Sequence, residues 1–144
     1  LKDADTLVLL ASLVGDPISN KYKKATKAIN ITATKKFIDK SIKLGVKKLI
    51  FVSTCSNYGL IEKNLAAKEN YKLNPLSPYA KSKVEIEKYL IKKKSKQLNT
   101  KIFILRFATA FGFSERMRFD LTVNEFIKTI MQKKKLIIHR LSIS

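Results

Sequence analysis

Cysteine and histidine each occur once in this sequence, as Cys55 and His139, and tryptophan does not occur. One cysteine excludes a disulfide within the chain and fits a reducing compartment. With so few thiols and imidazoles, the sequence offers no clustered metal ligands, and we expect no metal site. A triad of nucleophile, histidine and acid would depend on His139 alone, which no partner motif accompanies. Disulfide scaffolds, zinc sites and triad hydrolases are therefore poor descriptions of this chain.

Long apolar runs are also missing from the sequence. The longest stretches, such as residues 6–14, have the length of a strand and fall short of the roughly 20 residues that cross a membrane. No basic segment followed by an apolar segment has the form of a secretion signal. We therefore expect a cytoplasmic protein that has no membrane partner.

Acidic residues are scarce beside basic ones, at 11 against 30, which gives a net charge of +19. The lysines are spread over several segments instead of forming one stripe interleaved with aromatic residues. No helix-turn-helix, zinc-finger or RNA-recognition motif accompanies them, so the pattern speaks against nucleic acid as a partner. A positive surface would also attract a substrate that carries a pyrophosphate.

What the sequence does contain is an alternation of short apolar runs and amphipathic segments. Strands are predicted at residues 6–11, 46–53, 101–107 and 136–139, and helices at residues 19–44, 78–97 and 121–134. The first run is apolar throughout, as in a strand covered on both faces. Gly45 is placed to cap the first helix, and Asn30 is expected to tie that helix to a neighbouring strand. The order predicts an α/β fold, a doubly wound parallel sheet that binds ligands at the carboxyl ends of its strands.

Three side chains near those ends suit hydride-transfer chemistry: Thr54, Tyr79 and Lys83. Thr54 ends an apolar run, and the other two follow Pro78, which marks the first turn of a helix. Residues four apart share a helix face, so the Lys83 ammonium would lie beside the Tyr79 phenol. A nearby cation favours the phenolate and lowers the pKa of the tyrosine, which could then take the proton of a carbinol.

The same spacing occurs again at Tyr89 and Lys93, and roughly one such pair is expected by chance in a chain this rich in lysine. Tyr89 lies in the middle of the predicted helix, with no hydroxyl-rich strand end at a matching distance. We therefore interpret Tyr89 as a packing residue and Tyr79 as the chemical one.

Five segments resemble, in order, motifs of the extended short-chain dehydrogenases/reductases, and specifically of the NAD-dependent nucleotide-sugar epimerase/dehydratase family. They are Leu-Leu-Ala-Ser at residues 9–12, Asn-Ile-Thr-Ala-Thr at 30–34, the strand and loop at 45–59, Ser-Pro-Tyr-Ala-Lys-Ser-Lys at 77–83, and Leu-Arg-Phe-Ala-Thr-Ala-Phe-Gly at 105–112. Each motif alone is a weak signal, but five at the right separations are a specific one. The resemblance implies a Rossmann-like cofactor domain, NAD as cofactor without excluding NADP, and a nucleotide-sugar substrate.

Carried over residue by residue, the resemblance assigns three groups of site residues. Thr54 would hold the sugar oxygen, Tyr79 would be the general acid/base, and Lys83 would bind the nicotinamide ribose and lower the pKa of Tyr79. With Tyr79 and Lys83, the cofactor would be lined by Leu10, Ala11, Ser12 and Ser53. Besides Thr54, the substrate would be bound by Thr109, Arg116, Arg118 and Asn124. The resemblance also allows a homodimer through residues 19–44 and 78–97.

Departures from the family pattern narrow the expected function. Cys55 and Ser56 occupy the places where the family's dehydratases carry Asp-Glu, so we expect an epimerase or a reductase and not a 4,6-dehydratase. Thr109 replaces the usual asparagine. The Gly-rich phosphate turn does not occur in the sequence. Residues 1–144 are therefore predicted to be one partial domain, an internal fragment without the N-terminal strand–turn–helix and most of the substrate-binding part. Such a fragment would be inactive alone and would bind NAD poorly.

Two alternatives stay open at this point. The chain could belong to an extended-type reductase of a ketone without a nucleotide, and then Arg116, Arg118 and Asn124 would not matter for substrate affinity. It could also be a non-catalytic fragment or a basic binding module, which a steep salt dependence of DNA retention would favour.

Overall fold

The computed structural model describes residues 4–61, 65–94, 99–132 and 134–135, in two compact units. The first unit is Leu1–Ala108 and the second is Thr109–Ser144. The fourth predicted strand, at residues 136–139, lies outside the described residues, as does His139.

The first unit alternates strands and helices. Its strands are β1 (Thr6–Leu9), β2 (Lys48–Thr54) and β3 (Lys101–Phe107). Its helices are α1 (Asp16–Lys21), α2 (Lys23–Thr26), α3 (Thr34–Lys43) and α4 (Pro78–Lys94), with a π-helical segment at Lys27–Ala33 and a 3₁₀ turn at Cys55–Tyr58. The second unit contains α5 (Thr122–Met131). Strand β3 has the predicted bounds, whereas β1 stops two residues earlier than predicted.

The three strands form one parallel sheet in the order β1-β2-β3. Leu9 of β1 pairs with Phe51, and Thr54 at the end of β2 pairs with Phe107 at the end of β3. Parallel strands joined by helices bring their carboxyl ends to one edge of the sheet. The predicted parallel α/β fold is confirmed, and Thr54 lies at the edge where such folds bind ligands.

The apolar core lies between the sheet and helices α3 and α4. Its buried members are Leu9, Ile38, Leu49, Phe51, Ile86, Leu90 and Ile102. Full burial of a side chain of this size contributes roughly 1.5–3 kcal/mol. The opposite face of the sheet stays 40–54% exposed among the described residues, at Val8, Phe103, Leu105 and Phe107. Within this part of the chain β1 is therefore covered on one face, where the sequence predicted two.

The first predicted helix, at residues 19–44, is longer and less regular than the sequence indicates. It begins at Asp16 with α1, and Tyr22 interrupts it because a φ of −117° and a ψ of 53° are not helical. The π-helical segment follows before α3. Segments of this kind are rare, and they frequently occur at functional sites. Asn30 lies in the middle of this one.

Gly45 ends α3, as predicted. Its φ of +85° is a left-handed conformation that glycine adopts without steric cost. The N–H of Gly45 donates to the carbonyl of Ile42 at 3.0 Å, and the N–H of Val46 donates to the carbonyl of Ser41 at 3.2 Å. These two bonds form a Schellman cap, which turns the chain directly into the strand that ends in Thr54.

Candidate active site

Thr54 and Tyr79 lie on two elements whose ends are fixed by local structure. Thr54 is the last residue of β2 and keeps an extended backbone, with φ −143° and ψ 147°. Helix α4 begins at Pro78, and the Ser77 hydroxyl caps it by accepting a hydrogen bond from the N–H of Ala80 at 3.1 Å. The helix begins at the predicted residue, the strand ends one residue later than predicted, and Tyr79 occupies the second position of the helix.

Lys83 is buried although it carries an ammonium group, with only 4% of its surface exposed. Its Nζ donates a hydrogen bond to the carbonyl of Val52 at 2.8 Å. Nζ also lies 4.8 Å from the centre of the Phe51 ring and 5.7 Å from the centre of the Tyr79 ring, distances at which a ring face attracts a cation. Burial lowers the pKa of Lys83 to about 8. The side chain is therefore protonated at neutral pH but close to its titration.

Lys83 connects the other two predicted catalytic residues. Tyr79 lies one helical turn before it on the same face, and Val52 lies two residues before Thr54 in β2. An ammonium group has three donor protons, and within the described residues one of them has a partner, the carbonyl of Val52. Two donors are thus left for a ligand at the carboxyl edge of the sheet.

The Thr54 hydroxyl forms a small cluster with Ser56. Its Oγ1 accepts a hydrogen bond from the N–H of Ser56 and donates one to the hydroxyl of Ser56, both at 3.2 Å. These contacts begin the 3₁₀ turn and set the direction of the hydroxyl. Thr54 is only partly buried, so a ligand can still reach it.

The predicted cofactor-lining residues lie in two places. Leu10, Ala11 and Ser12 follow β1, and the first two are exposed. The Ser12 hydroxyl is buried and has no hydrogen-bond partner among the described residues, which is costly unless another group supplies one. Ser53 lies on the core face of β2, and its hydroxyl donates to the carboxylate of Glu87 at 2.5 Å. The side chain of Ser53 is therefore engaged in the core.

Asn30 connects the segment after β1 to the start of α4. Its Oδ1 accepts from the N–H of Leu13 at 2.8 Å, and its Nδ2 donates to the carbonyl of Leu13 at 3.1 Å and to the hydroxyl of Ser82 at 3.3 Å. Ser82 in turn donates to the carbonyl of Tyr79 at 2.6 Å. The sequence predicted a tie to a neighbouring strand, and the structure shows a tie to a loop and to α4 instead. The predicted cofactor loop and the helix of Tyr79 are thereby held together.

Sequence reasoning missed a buried ion pair beneath this edge of the sheet. Glu87 of α4 is 1% exposed, and its Oε2 lies 2.6 Å from Nη2 of Arg106 in β3. The hydrogen bonds from Arg106 to this carboxylate raise the pKa of the guanidinium further above its usual range. The sequence carried a signal for Glu87 but not for its partner, because Tyr79, Lys83 and Glu87 follow one another at a spacing of four, which places all three on one face of α4.

Four predicted substrate-binding residues belong to the second unit: Thr109, Arg116, Arg118 and Asn124. Thr109 and Arg116 are exposed. Arg118 forms an ion pair with Asp120, at 2.5 Å between Nη2 and Oδ2. Asn124 is buried, and it accepts from the N–H of Gly112 at 3.3 Å and donates to the carbonyl of Arg118 at 3.0 Å. The Asn124 amide therefore holds the loop that carries both arginines.

The second Tyr-x-x-x-Lys pair of α4 lies on the surface between α3 and α4. Tyr89 packs against the core, and its hydroxyl donates to Oδ1 of Asp39 at 2.6 Å. Nζ of Lys93 forms an ion pair with the same oxygen at 2.7 Å. The interpretation of Tyr89 as a packing residue is confirmed.

None of the helices in the described ranges has the length and apolar character that a membrane crossing requires. Within the same ranges, His, Cys, Asp and Glu side chains do not come together in groups of three or more that could hold a metal ion.

Residues 1–140 match the family model described as Epimerase, the NAD dependent epimerase/dehydratase family. A curated relative from Bacillus subtilis (strain 168), the uncharacterized UDP-glucose epimerase YtcB, is 33% identical over 139 residues. The aligned part is 96% of this chain and 42% of the relative.

Solved structures show the same partial overlap. The UDP-glucuronic acid 4-epimerase from Bacillus cereus in complex with NAD is 31% identical with a TM-score of 0.76, over 95% of this chain and 42% of that one. The UDP-N-acetylglucosamine 4-epimerase from Methanobrevibacter ruminantium M1 in complex with UDP-N-acetylmuramic acid is 29% identical with a TM-score of 0.80, over 95% and 44%. The chain spans less than half the length of these relatives, and the likeness confirms the Rossmann-like fold.

Proposed function

Because the chain belongs to the NAD dependent epimerase/dehydratase family, we propose that the enzyme containing it epimerises a nucleotide sugar by reversible oxidation of a sugar hydroxyl, with NAD as cofactor. The observation that carries the proposal is the buried ammonium of Lys83, which lies between the end of β2 and the ring of Tyr79. The relatives support the substrate class, since UDP-glucose, UDP-glucuronic acid and UDP-N-acetylglucosamine appear in their names.

Tyr79 is the general acid/base in this proposal. Oxidation of a carbinol releases a proton, and a base within hydrogen-bond reach must accept it. An unperturbed tyrosine, with a pKa of about 10, holds its proton too tightly for this role at neutral pH. The ammonium of Lys83 beside the ring favours the phenolate form. The same phenol returns the proton when the keto group is reduced on its other face.

Lys83 and Thr54 position the reactants. The two donor protons of Lys83 that lack a described partner suit the hydroxyls of a nicotinamide ribose. The Thr54 hydroxyl, fixed by Ser56, suits the sugar oxygen that loses and regains the proton. A hydrogen bond from Thr54 would hold this oxygen in line with Tyr79 before the reaction begins. Such an arrangement raises the rate because no group has to be reoriented as the proton moves.

The segment after β1 fits part of a dinucleotide site. The buried Ser12 hydroxyl has no partner among the described residues, and it lies at the carboxyl edge where such folds place a nucleotide. Leu10, Ala11 and Ser12 would hold NAD from β1, and Lys83 would hold it from α4. The chemistry that NAD would supply there is the reversible acceptance of a hydride from the sugar carbon.

Residues of the second unit are proposed to hold the substrate diphosphate. Arg116 and Arg118 suit phosphate because a guanidinium offers two parallel donors. The ion pair of Arg118 with Asp120 is exposed, with 45% and 65% of the two side chains accessible, and such pairs contribute little stability. Arg118 could therefore release the Asp120 carboxylate and bind a phosphate in its place at little cost in free energy. Asn124 orders this loop, and Thr109 is a proposed sugar contact.

Epimerisation is favoured over 4,6-dehydration because the residues after Thr54 are not carboxylic acids. Elimination of water needs an acid and a base at the sugar. Cys55 donates its thiol to the carbonyl of Arg106 at 3.5 Å, and the Ser56 hydroxyl accepts from Thr54. The free thiol of Cys55 also fits a reducing compartment, so we place the enzyme in the cytoplasm.

The test is an incubation of the purified enzyme containing this chain with NAD and each of UDP-glucose, UDP-glucuronic acid and UDP-N-acetylglucosamine in D₂O. We expect a C4 epimer of at least one substrate, with no deuterium at the inverted carbon, because the same hydride returns. Proton NMR measures both. Deuterium at that carbon would refute reversible oxidation, and a 4-keto-6-deoxy product would refute the exclusion of dehydration. Turnover of a simple ketone without any epimer would show a reductase instead.

A further inference from the structure

The Glu87 carboxylate occupies the junction of three elements. Its Oε1 accepts from the hydroxyl of Ser53 at 2.5 Å and from Nδ2 of Asn57 at 2.8 Å. Both of its oxygens also accept from Arg106, through Nε at 3.1 Å and Nη2 at 2.6 Å. One carboxylate on α4 thus binds the end of β2, the 3₁₀ turn after it and strand β3.

Arg106 extends the same network to the loop that precedes α4. Its Nη1 donates to the hydroxyl of Tyr58 at 3.0 Å and to the carbonyl of Glu69 at 2.9 Å. The guanidinium lies over the Tyr58 ring at 5.1 Å, and that ring meets Tyr71 edge to face at 6.1 Å. All these partners are held in a fixed geometry, since a guanidinium is a planar fork of donors.

The far side of the 3₁₀ turn is held just as closely. The N–H of Asn74 donates to the carbonyl of Asn57 at 3.0 Å. Gly59 ends the turn with a φ of +67°, and a Cβ at this position would lie 2.1 Å from the carbonyl oxygen of Asn74. Only glycine can therefore occupy position 59 in this close approach to Asn74. The turn that begins at Thr54 is fixed from the core side by Glu87 and from the outer side by Asn74.

The network acts on the residue that directly precedes Thr54. Lys83 donates a hydrogen bond to the carbonyl of Val52, and Glu87 accepts one from the hydroxyl of Ser53. These two contacts come from successive turns of one face of α4, the face that also carries Tyr79. The two hydrogen bonds fix the position of helix α4 relative to the last residues of β2. Thr54 and Tyr79 thus belong to two elements that these contacts join directly.

Stability alone gives no reason for an ion pair at this place. Apolar side chains of similar volume often replace a buried ion pair without loss of stability, and Ile86 and Leu90 of the same helix fill their part of the core in this way. Apolar contacts tolerate small rotations, whereas the directed hydrogen bonds around Glu87 do not. The pair is found beneath the strand end where alignment matters most for the proposed chemistry.

We propose that Glu87 and Arg106 are positioning residues, which hold Thr54 and its turn against the helix that carries Tyr79 and Lys83. The inference rests on the proposed function for its catalytic consequence. Its structural content, that the pair orders residues 53–59, is independent of that function.

The test compares Glu87→Gln with Thr100→Val in the enzyme that contains this chain. Thr100 is a matched control, because its buried hydroxyl bonds the carbonyl of Val46 at the opposite end of the same strands. For Glu87→Gln we expect kcat to fall about tenfold to a hundredfold, since a small misplacement of a reacting group has an effect of this size. The KM for the nucleotide sugar should change by less than about threefold, because Thr54 would align the substrate more than bind it. In Thr100→Val, kcat should stay within about twofold of wild type, as expected for a site away from the reacting groups.

Hydrogen exchange supplies a readout that needs no catalysis. We expect amide protection in residues 53–59 to fall about tenfold in Glu87→Gln and to stay unchanged in Thr100→Val, because local opening depends on local contacts. Arg106→Lys keeps the charge of the pair but loses the planar, forked set of guanidinium donors. If Glu87→Gln folds poorly, kcat and hydrogen exchange can be measured in Arg106→Lys instead. We expect it to resemble Glu87→Gln in both.

The outcomes separate the two proposals. A variant that loses protection but keeps its kcat, or loses kcat with protection intact, would overturn the positioning role. Equal effects in Glu87→Gln and Thr100→Val would overturn it too, because the pair would then contribute only stability. A wild-type enzyme without turnover would refute the proposed function, and the exchange measurement would then decide alone whether the pair orders the turn.

Discussion

Helix α4 carries the same spacing twice, and the two pairs differ in the burial and in the partners of their lysines. Lys83 is buried, contacts a backbone carbonyl and lies near the ring of Tyr79. Lys93 also lies near its tyrosine, with Nζ 5.2 Å from the centre of the Tyr89 ring, but it is partly exposed and forms an ion pair with Asp39, to which Tyr89 also donates. A tyrosine and a lysine four residues apart therefore acquire different chemistry from their surroundings, although the local sequence pattern is identical.

The pKa values of the two lysines move in opposite directions. Burial lowers the pKa of Lys83 to about 8, because a low-dielectric environment disfavours the charged form. The hydrogen bond to Asp39 raises the pKa of Lys93 and outweighs the opposing effect of its partial burial. Burial and the hydrogen bond to Asp39 also raise the pKa of Tyr89, so this phenol gives up its proton less readily than an ordinary tyrosine. Of the two lysines, only Lys83 therefore has a pKa that is shifted towards neutral pH.

The largest effect should come from removing one hydroxyl at each pair. We expect Tyr79→Phe to lower kcat by about 10²- to 10⁴-fold, the usual contribution of a positioned general acid/base. Tyr89→Phe should lower kcat by less than about threefold, because it loses only an exposed hydrogen bond. Epimerisation rates of both variants, with melting temperatures as a control for folding, measure this. Similar losses in the two would show that Tyr79 has no special role.

The next largest effect should come from removing the two ammonium groups. Lys83→Met suits the buried site in size, and we expect it to lower kcat at pH 7 by roughly 10- to 100-fold, since one unit in the pKa of Tyr79 is a tenfold change in phenolate. Affinity for NAD should also fall, because two donors are lost. Lys93→Met should leave both values within about twofold of wild type, as expected for an exposed pair. Calorimetry with NAD and steady-state rates measure the difference. An unchanged NAD affinity in Lys83→Met would contradict the ribose contact.

Titration of the two lysines sharpens the comparison directly. Selective ¹³C labelling at Cε should show Lys83 titrating near pH 8 and Lys93 above 10.5. Below pH 8 both the folded and unfolded states keep the proton on Lys83. Between about 8 and 10.4 the unfolded state alone keeps it, so stability attributable to this site rises with pH there. The epimerisation rate should fall over the same range as the ammonium is lost, and a Lys83 signal that titrates near 10.5 would remove this explanation.

Local patterns in the sequence were sufficient for the elements that carry the candidate site. The apolar run before Thr54, the Ser77-Pro78 helix start and the Gly45 cap each depend on neighbours in the chain, and the structure confirms all three. The Glu87–Arg106 pair was missed because the sequence does not show which charged residues meet across a helix and a strand. The π-helical segment was missed as well, since hydrophobic spacing does not distinguish it from an α-helix.

The roles of the site residues depend on a different kind of information. Periodicity placed Thr54 at a strand end and Tyr79 and Lys83 at a helix start, but it could not show that Lys83 is buried or that Lys93 is paired. Those properties follow from tertiary packing against Phe51 and Asp39. The catalytic and binding roles themselves stay predictions until the variants are measured.

The smallest effect should come from the substitution of Asp39, the residue that binds both Tyr89 and Lys93. We expect this second pair to contribute to stability and not to catalysis. Asp39→Asn removes an ion pair in which 47% of the carboxylate side chain is exposed, and we expect the free energy of unfolding at pH 7 to fall by about 0–1 kcal/mol. Burial raises the pKa of Asp39, but the hydrogen bonds from Lys93 and Tyr89 outweigh it and leave the pKa below its usual value. A carboxyl with a lowered pKa stabilises the fold above its unfolded pKa of about 4, and this contribution disappears as the pH falls through the lower value. Urea unfolding should therefore show a difference between wild type and Asp39→Asn that shrinks below pH 4. The kcat of Asp39→Asn should equal that of wild type, because Lys93 and Tyr89 lie away from the strand end. A loss of kcat as large as that of Lys83→Met would mean that the two pairs are not chemically distinct.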